Sequence, residues 1–222
     1  MGSKEVKLEN LVLTEFKAKE LLKKGFSVVK DVLFDEKQVK KILSDKNFSG
    51  FNFPVVLKIS SDFIVHKTEV GAIKIAYTQE DFFKTLEEFS KKITKFKARG
   101  ILVEEFVKGQ EIIIGLKKDK TFGHVIGLGL GGIFVETIKD ISFRACPLES
   151  VDFDSMLNDL KMKDLILGIR GKKNNVAELK KTVLEISKLA LKNSKLLELD
   201  INPLILNEKD CKIVDARIVM EK

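Results

Sequence analysis

Lys58 and His66 lie on one strand–loop–strand stretch, residues 53–77. Val55, Val56, Leu57 and Ile59 form a short apolar run with β-branched side chains, which predicts a strand. Lys58 sits inside that run, and an ammonium buried there is costly unless it meets an anion. His66, one of 2 histidines in the chain, follows in a polar loop. Gly71 gives that loop backbone freedom before strand alternation returns over 70–77. A lysine that offsets negative charge, beside an imidazole that is a competent nucleophile near pH 7, suggests phosphate chemistry. The plain alternative is a lysine that snorkels to solvent and a merely polar loop histidine.

The acidic end of the chain offers a second chemistry. Glu198, Asp200 and Asn202 alternate at period 2 and project from one strand face. With 207–210 as the turn, Leu206 faces Cys211, and antiparallel counting sets Asn202 opposite Asp215. Directly opposed residues have Cβ atoms about 5 Å apart. A carboxylate and an amide oxygen at that spacing can share one hard cation with phosphate oxygens, as Mg2+ is commonly held. The alternative is a polar sheet face paired with basic residues such as Arg217.

A third feature is a decoy. Gly127, Gly129 and Gly132 satisfy G-x-G-x-x-G, but a dinucleotide fingerprint needs a helix after it. Residues 133–138 are β-branched and read as strand, so that reading is rejected. Gly131 and Gly132 still permit close backbone approach to a ligand, or simply make a tight turn.

These residues need elements to hold them. Thr14 caps a helix over 15–24, with Gly25 past its end, and 26–34 reads as a strand. Asp35, with Gln38 three residues on, opens a second helix as a capping box. Thr78 caps a third, where Phe82, Leu86, Phe89 and Ile93 make one apolar stripe. From residue 101 the pattern changes to successive strands: 101–107, 111–117, 124–130, 133–138 and 141–146. A hairpin turn falls at Asp119, Lys120 and Gly123. Helices follow over 151–169 and 176–191, and strands over 196–206 and 212–219 close the chain. Strands in succession and then helices predict α+β architecture rather than a doubly wound sheet.

Composition narrows the classes. The chain has 222 residues, 44% of them hydrophobic, enough for a substantial core. No apolar run of about 18 residues predicts a membrane span, and residues 1–10 lack an apolar signal region. Cys146 and Cys211 lie far apart in sequence, which suggests free thiols in a reducing cytoplasm. Net charge is +7, from 40 basic and 33 acidic residues. The excess is spread along the chain and the Phe residues fall at core spacing, which argues against nucleic acid as partner. A positive field can still steer an anionic ligand inwards.

Several motifs together resemble a known fold. Leu57-Lys58, Glu104-Glu105-Phe106-Val107, and Asp200-Ile201-Asn202-Pro203-Leu204 followed by Val214-Asp215-Ala216-Arg217 resemble the ATP-grasp fold. More narrowly, His66-Lys67-Thr68-Glu69-Val70-Gly71, Gly131-Gly132-Ile133-Phe134-Val135-Glu136 and Phe143-Arg144-Ala145-Cys146-Pro147-Leu148 resemble the β subunit of ADP-forming (NDP-forming) acyl-CoA synthetases, which include acetate–CoA ligases. The resemblance covers about residues 15–217. The chain departs from the usual form at Ala72, where a second glycine is common, and at Ser61, where proline is.

The resemblance implies one ATP-grasp domain over 1–222, with lobes at about 14–97 and 98–222 and a nucleotide cleft between them. It implies that Lys58 holds nucleotide phosphates and that Glu104, with the backbone of Glu105 and Val107, lines adenine. Glu111 then approaches the ribose, Arg144 contacts phosphates, Asn202 and Asp215 bind Mg2+, and His66 carries a phosphoryl group. For Glu104 and Glu105 the alternative is a solvated strand pair, and for Arg144 a surface salt bridge. His124, in a strand, reads as structural. ATP or ADP and Mg2+ are the implied cofactors. The implied partner is an α subunit with CoA-binding and ligase domains, in an α2β2 assembly, with no membrane or nucleic acid involved. Other readings are a carboxylate–amine ligase, which needs no histidine, and a non-catalytic nucleotide-sensing subunit.

Overall fold

The computed structural model of the chain describes residues 10–61, 70–132, 139–169 and 171–222. They form two compact units: Val29–Val107, and Met1–Val28 with Lys108–Lys222. His66 and the expected strand over 133–138 lie outside the described residues.

The smaller unit is an antiparallel sheet in the order β2 (Asp31–Phe34), β5 (Gly100–Glu105), β3 (Val55–Ser60), β4 (Ile73–Ala76). Helices α2 (Glu36–Asp45) and α3 (Gln79–Ser90) belong to it. Both open with reciprocal capping boxes, Asp35 with Gln38 and Thr78 with Asp81. Val55, Leu57, Ile59, Ile101 and Val103 share one sheet face and are buried with the helix residues Val39, Phe82, Leu86 and Phe89. The Phe48 and Phe82 rings stack with centroids 3.9 Å apart. The other face, by alternation, carries Asp31, Val56, Lys58, Leu102 and Glu104.

The larger unit is a seven-stranded antiparallel sheet in the order β1 (Asn10–Leu13), β11 (Ala216–Glu221), β9 (Leu196–Leu206), β6 (Gln110–Asp119), β7 (Gly123–Leu130), β8 (Ile141–Ala145). The short β10 (Cys211–Ile213) pairs with β9. One face buries Ile114, Leu116, Ile126, Leu128, Leu199 and Ile201. Over it lie α1 (Glu15–Leu22), α4 (Ser150–Asp159), α5 (Lys163–Leu167) and α6 (Val176–Lys192), through Ala18, Phe153, Ile166 and Val183. Asp119 Oδ1 accepts from the amides of Thr121 and Phe122 to close the expected hairpin turn. Among the described residues, no helix is long and apolar enough to cross a membrane.

The structure differs from the sequence reading in four places. The expected strand over 26–34 is strand only at Asp31–Phe34. Val28 instead makes an isolated bridge to Ile213, so the segment divides between two sheets. The expected strand over 212–219 is two strands, because the amides of Val214 and Asp215 both turn to one carbonyl, that of Pro203. The edge strand β1 was not foreseen. The lobe boundaries also move. Helix α1 packs Ala18 and Leu22 into the larger unit's core, and β5 pairs with β3, so residues 98–107 join the smaller unit.

Candidate functional site

In the smaller unit the anion that Lys58 requires is Glu104. Lys58 Nζ lies 2.8 Å from Glu104 Oε2, with side-chain exposures of 6% and 0%. The register explains the meeting. Lys58 opposes Leu102, and Glu104 sits two residues along β5 on the same face. Neither the snorkelling lysine nor the solvated strand pair describes these side chains. Desolvating two charges is costly unless they are well matched. A lysine fixed by a glutamate is also how a phosphate-binding ammonium is aimed in kinases. Asp31 directly opposes Glu104 on β2 and is buried, which sequence reasoning missed. Its place between Lys30 and a β-branched residue in a strand was the available signal.

Glu105 turns the other way. Its Oε1 accepts from the Lys30 amide at 2.9 Å, and its own amide donates to the Lys30 carbonyl at 2.9 Å. Val107, just beyond β5, is half-buried. Beside them is a cavity of about 260 Å³ lined by Lys30, Phe51, Phe53, Glu105 and Phe106.

In the larger unit, Glu111, Gly131 and Gly132 come together. The Gly131 amide donates to the Glu111 carbonyl at 2.8 Å. Gly132 has φ +62°, and Glu111 Oε2 occupies the space that a Cβ there would need. The close approach that these glycines permit is therefore made by Glu111, by its backbone and Cβ at Gly131 and by its carboxylate at Gly132.

The counted register at the chain's end holds. Leu206 pairs with Cys211, Ile201 with Ala216, Asp200 with Arg217 and Glu198 with Val219. Between these pairs the Asn202 amide donates to the Asp215 carbonyl at 3.2 Å. Asn202 is exposed and Asp215 half-buried, while Leu199 and Ile201 face the core. Glu198 is drawn to basic partners, 3.4 Å from Lys117 and 3.8 Å from Arg217. Asp200 is exposed, yet partial desolvation by its neighbours raises the pKa of its carboxyl; Arg217 opposes that rise and Glu198 adds to it. Asn202 and Asp215 bring two oxygen-bearing side chains to one register position, a donor set suited to a hard cation that keeps water and phosphate ligands.

Arg144 goes elsewhere. It opposes Ile126, on the helix side of the sheet, whereas Phe143 opposes Gly127 on the side of Asp200. Its guanidinium donates to Asp159 Oδ2 at 2.6 Å and Ser155 Oγ at 2.8 Å. The hydrogen bond from Arg144, then that from Ser142, holds the Asp159 pKa below its ordinary value. The salt-bridge reading fits this placement, and the phosphate contact implied for Arg144 does not. His124 Nε2 is 2.7 Å from the Leu196 carbonyl, a structural bond as expected.

The site of His66 is known by its borders. The Ile59 amide donates to the Ala72 carbonyl at 2.9 Å, and Ser61 Oγ donates to the Phe96 carbonyl at 2.6 Å. Gly71 has φ +62°, and Ala72 is buried in the smaller unit's core.

Residues 5–220 match the ATP-grasp domain. The chain is 33% identical over 230 residues to the β subunit of acetate–CoA ligase [ADP-forming] I of Pyrococcus furiosus, covering 97% of this chain and 95% of the relative. It is 39% identical over 175 residues to 4-hydroxybutyrate–CoA ligase [ADP-forming] of Nitrosopumilus maritimus, covering 75% of this chain. It spans only 25–30% of the length of that protein and of two Archaeoglobus fulgidus acetate–CoA ligases. A solved acetyl-coenzyme A synthetase 1 of Ca. Korarchaeum cryptofilum superposes with TM-score 0.77 at 35% identity, covering 94% of this chain and 92% of that one. That structure holds coenzyme A and Mg-AMPPCP, with its phosphohistidine segment pointing towards the nucleotide binding site. Sequence and fold agree over nearly the whole length, and the chain belongs to the ATP-grasp family, with the β subunits of ADP-forming acetate–CoA ligases.

Proposed function

We propose that this chain is the nucleotide-handling β component of an ADP-forming acyl-CoA synthetase: acid + CoA + ATP ⇌ acyl-CoA + ADP + phosphate. The observation that carries the reading is the buried Lys58–Glu104 pair, 2.8 Å apart, on the sheet face opposite the helix-packed core. The Glu104 carboxylate orients the Lys58 ammonium, which offsets the charge of nucleotide phosphates. Glu104, Glu105 and Val107 belong to the segment proposed to run beside adenine, and Glu111, backed by Gly131 and Gly132, is proposed for the ribose. Asn202 and Asp215 are the proposed Mg2+ ligands. When bound, that ion neutralises phosphate charge and fixes the phosphate oxygens. Arg144 is left out, since Asp159 and Ser155 hold its guanidinium.

His66 is the proposed phosphoryl carrier. Its neutral imidazole attacks the γ-phosphorus of ATP; the N–P bond forms, the bond to the bridging oxygen breaks, and ADP leaves. Transfer of this kind depends mostly on positioning and charge neutralisation. The motif around His66 and the likeness to a structure with a phosphohistidine segment support the role. The rest of the reaction needs a partner with CoA-binding and ligase domains, in an α2β2 assembly. That the chain matches a separate β subunit end to end, yet spans about a quarter of a longer ligase, supports this division. The free thiols Cys146 and Cys211 are consistent with a cytoplasmic setting.

The test is transfer of label. The chain incubated with γ-labelled ATP and Mg2+ gains acid-labile, base-stable label. His66→Ala gains none and still binds ADP. A His66→Ala chain that, with its partner, still couples acyl-CoA cleavage to ATP synthesis ends this reading.

A further inference from the structure

Helix α1 buries a charged side chain where the amphipathic pattern calls for an apolar one. Ala18, Lys19 and Leu22 are its buried residues, and Lys19 is 0% exposed. Glu15, one turn earlier, is nearly as buried, and its Oε1 lies 3.4 Å from Lys19 Nζ. Burying an ion pair is a poor route to stability when leucine or methionine would fill the same space. The arrangement therefore needs another explanation, and the second partner of Lys19 supplies one. Lys19 Nζ also donates to the Val214 carbonyl at 3.3 Å.

Val214 stands where the β9 ladder lacks a donor. The residue across from it is Pro203, whose carbonyl accepts from the Val214 amide at 3.0 Å and from the Asp215 amide at 3.3 Å. A paired residue would return an N–H to the Val214 carbonyl, and proline has none to give. Val214 is half-buried, and a backbone carbonyl shielded from water calls for a partner. Lys19 provides that donor from the helix. With it, every backbone polar group of Val214 and Asp215 is bonded: the two amides to Pro203, the Asp215 carbonyl to Asn202 and the Val214 carbonyl to Lys19.

We infer that Lys19 is a positioning residue for the cation of the bound nucleotide: by holding the Val214 carbonyl it fixes the peptide plane leading into Asp215, and with it the aim of the Asp215 carboxylate. This rests on the proposed Mg-nucleotide site. Groups that orient a metal ligand without touching the metal typically change its affinity by about ten- to a hundred-fold when removed.

The test is ADP binding by calorimetry, with Mg2+ and with chelator, on the whole chain. In Lys19→Met the affinity without Mg2+ stays at the parent value, and the enhancement given by Mg2+ falls by about ten-fold or more. Amide exchange at Val214 and Asp215 speeds up while α1 stays protected. Glu15→Leu with Lys19→Met removes both buried charges, guards against misfolding, and shows the same loss. A folded variant with the parent's Mg2+ enhancement overturns the inference. So does an equal loss with and without Mg2+, the mark of a merely structural lysine. A parent chain with no Mg2+-dependent ADP binding overturns the functional reading instead, and this inference with it.

Discussion

The amide of Asn202 donates to the carbonyl of Asp215 at 3.2 Å, so the two proposed cation ligands share one rung between β9 and the β10–β11 junction. Neither is a core residue. Asn202→Ala and Asp215→Ala should each weaken Mg-ADP binding by about ten-fold or more, ~1.4 kcal/mol, with little change in melting temperature. Calorimetry beside a thermal melt checks both. A large fall in stability with unchanged binding would move these residues from the ligand to the scaffold.

Lys58→Met removes the ammonium from beside a fully buried carboxylate. Breaking a buried pair in this way costs about 3–5 kcal/mol of stability. Lys58→Met with Glu104→Leu should recover most of that loss, because the second charge goes too. Neither variant should recover ATP affinity. Urea unfolding separates the two effects, and unchanged ATP binding in the folded double variant would rule out the phosphate role of Lys58.

Gly132→Ala meets two obstacles at once. A φ of +62° costs a non-glycine residue about 1–2 kcal/mol, and the new Cβ falls on Glu111 Oε2. The expected result is lower stability and weaker nucleotide binding, since Glu111 must move. Gly25→Ala, where nothing stands within 4 Å of a Cβ, is the control. Equal behaviour of the two variants would contradict the assignment.

Asp200 gives a pH dependence of defined sign. Its folded pKa is raised, chiefly by crowding and in spite of Arg217. A carboxyl raised on folding favours the native state only while protonated, and that contribution is lost as pH rises through the folded value. Asp200→Asn should therefore stabilise the chain at neutral pH, with the gain shrinking as pH falls through the carboxylate range. Urea unfolding at about pH 7.5 and about pH 4 measures the difference. A gain that grows on acidification would mean that Arg217 outweighs the crowding.

Much of this arrangement was legible in the residues themselves. The caps at Thr14, Asp35 and Thr78, the stripe from Phe82 to Ile93 and the rungs from Leu206 to Glu198 rest on local spacing, and local spacing survives folding. What failed depended on distant partners. Alternation says that Phe143 and Arg144 point to opposite sides of β8, but only pairing with β7 says which side holds the helices. Lys19 reads as an ordinary solvated helix lysine until α1 is packed on the sheet. The break at Val214 could have been found from Pro203, whose missing N–H interrupts any ladder drawn through it.

The bond from Ile59 to Ala72 sets a length as well as an anchor. It fixes where the chain leaves the smaller sheet and where it returns. His66 is five residues from Ser61 and five from Gly71. Fully extended, five residues span at most about 18 Å. If His66 carries a phosphoryl group as proposed, that group is a cargo on a short tether with two moorings. Its donor and its acceptor must both come within that radius of the end of β3. On the proposed reading, the partner has to bring its acceptor to that end of the sheet, because five residues on either side of His66 reach no farther.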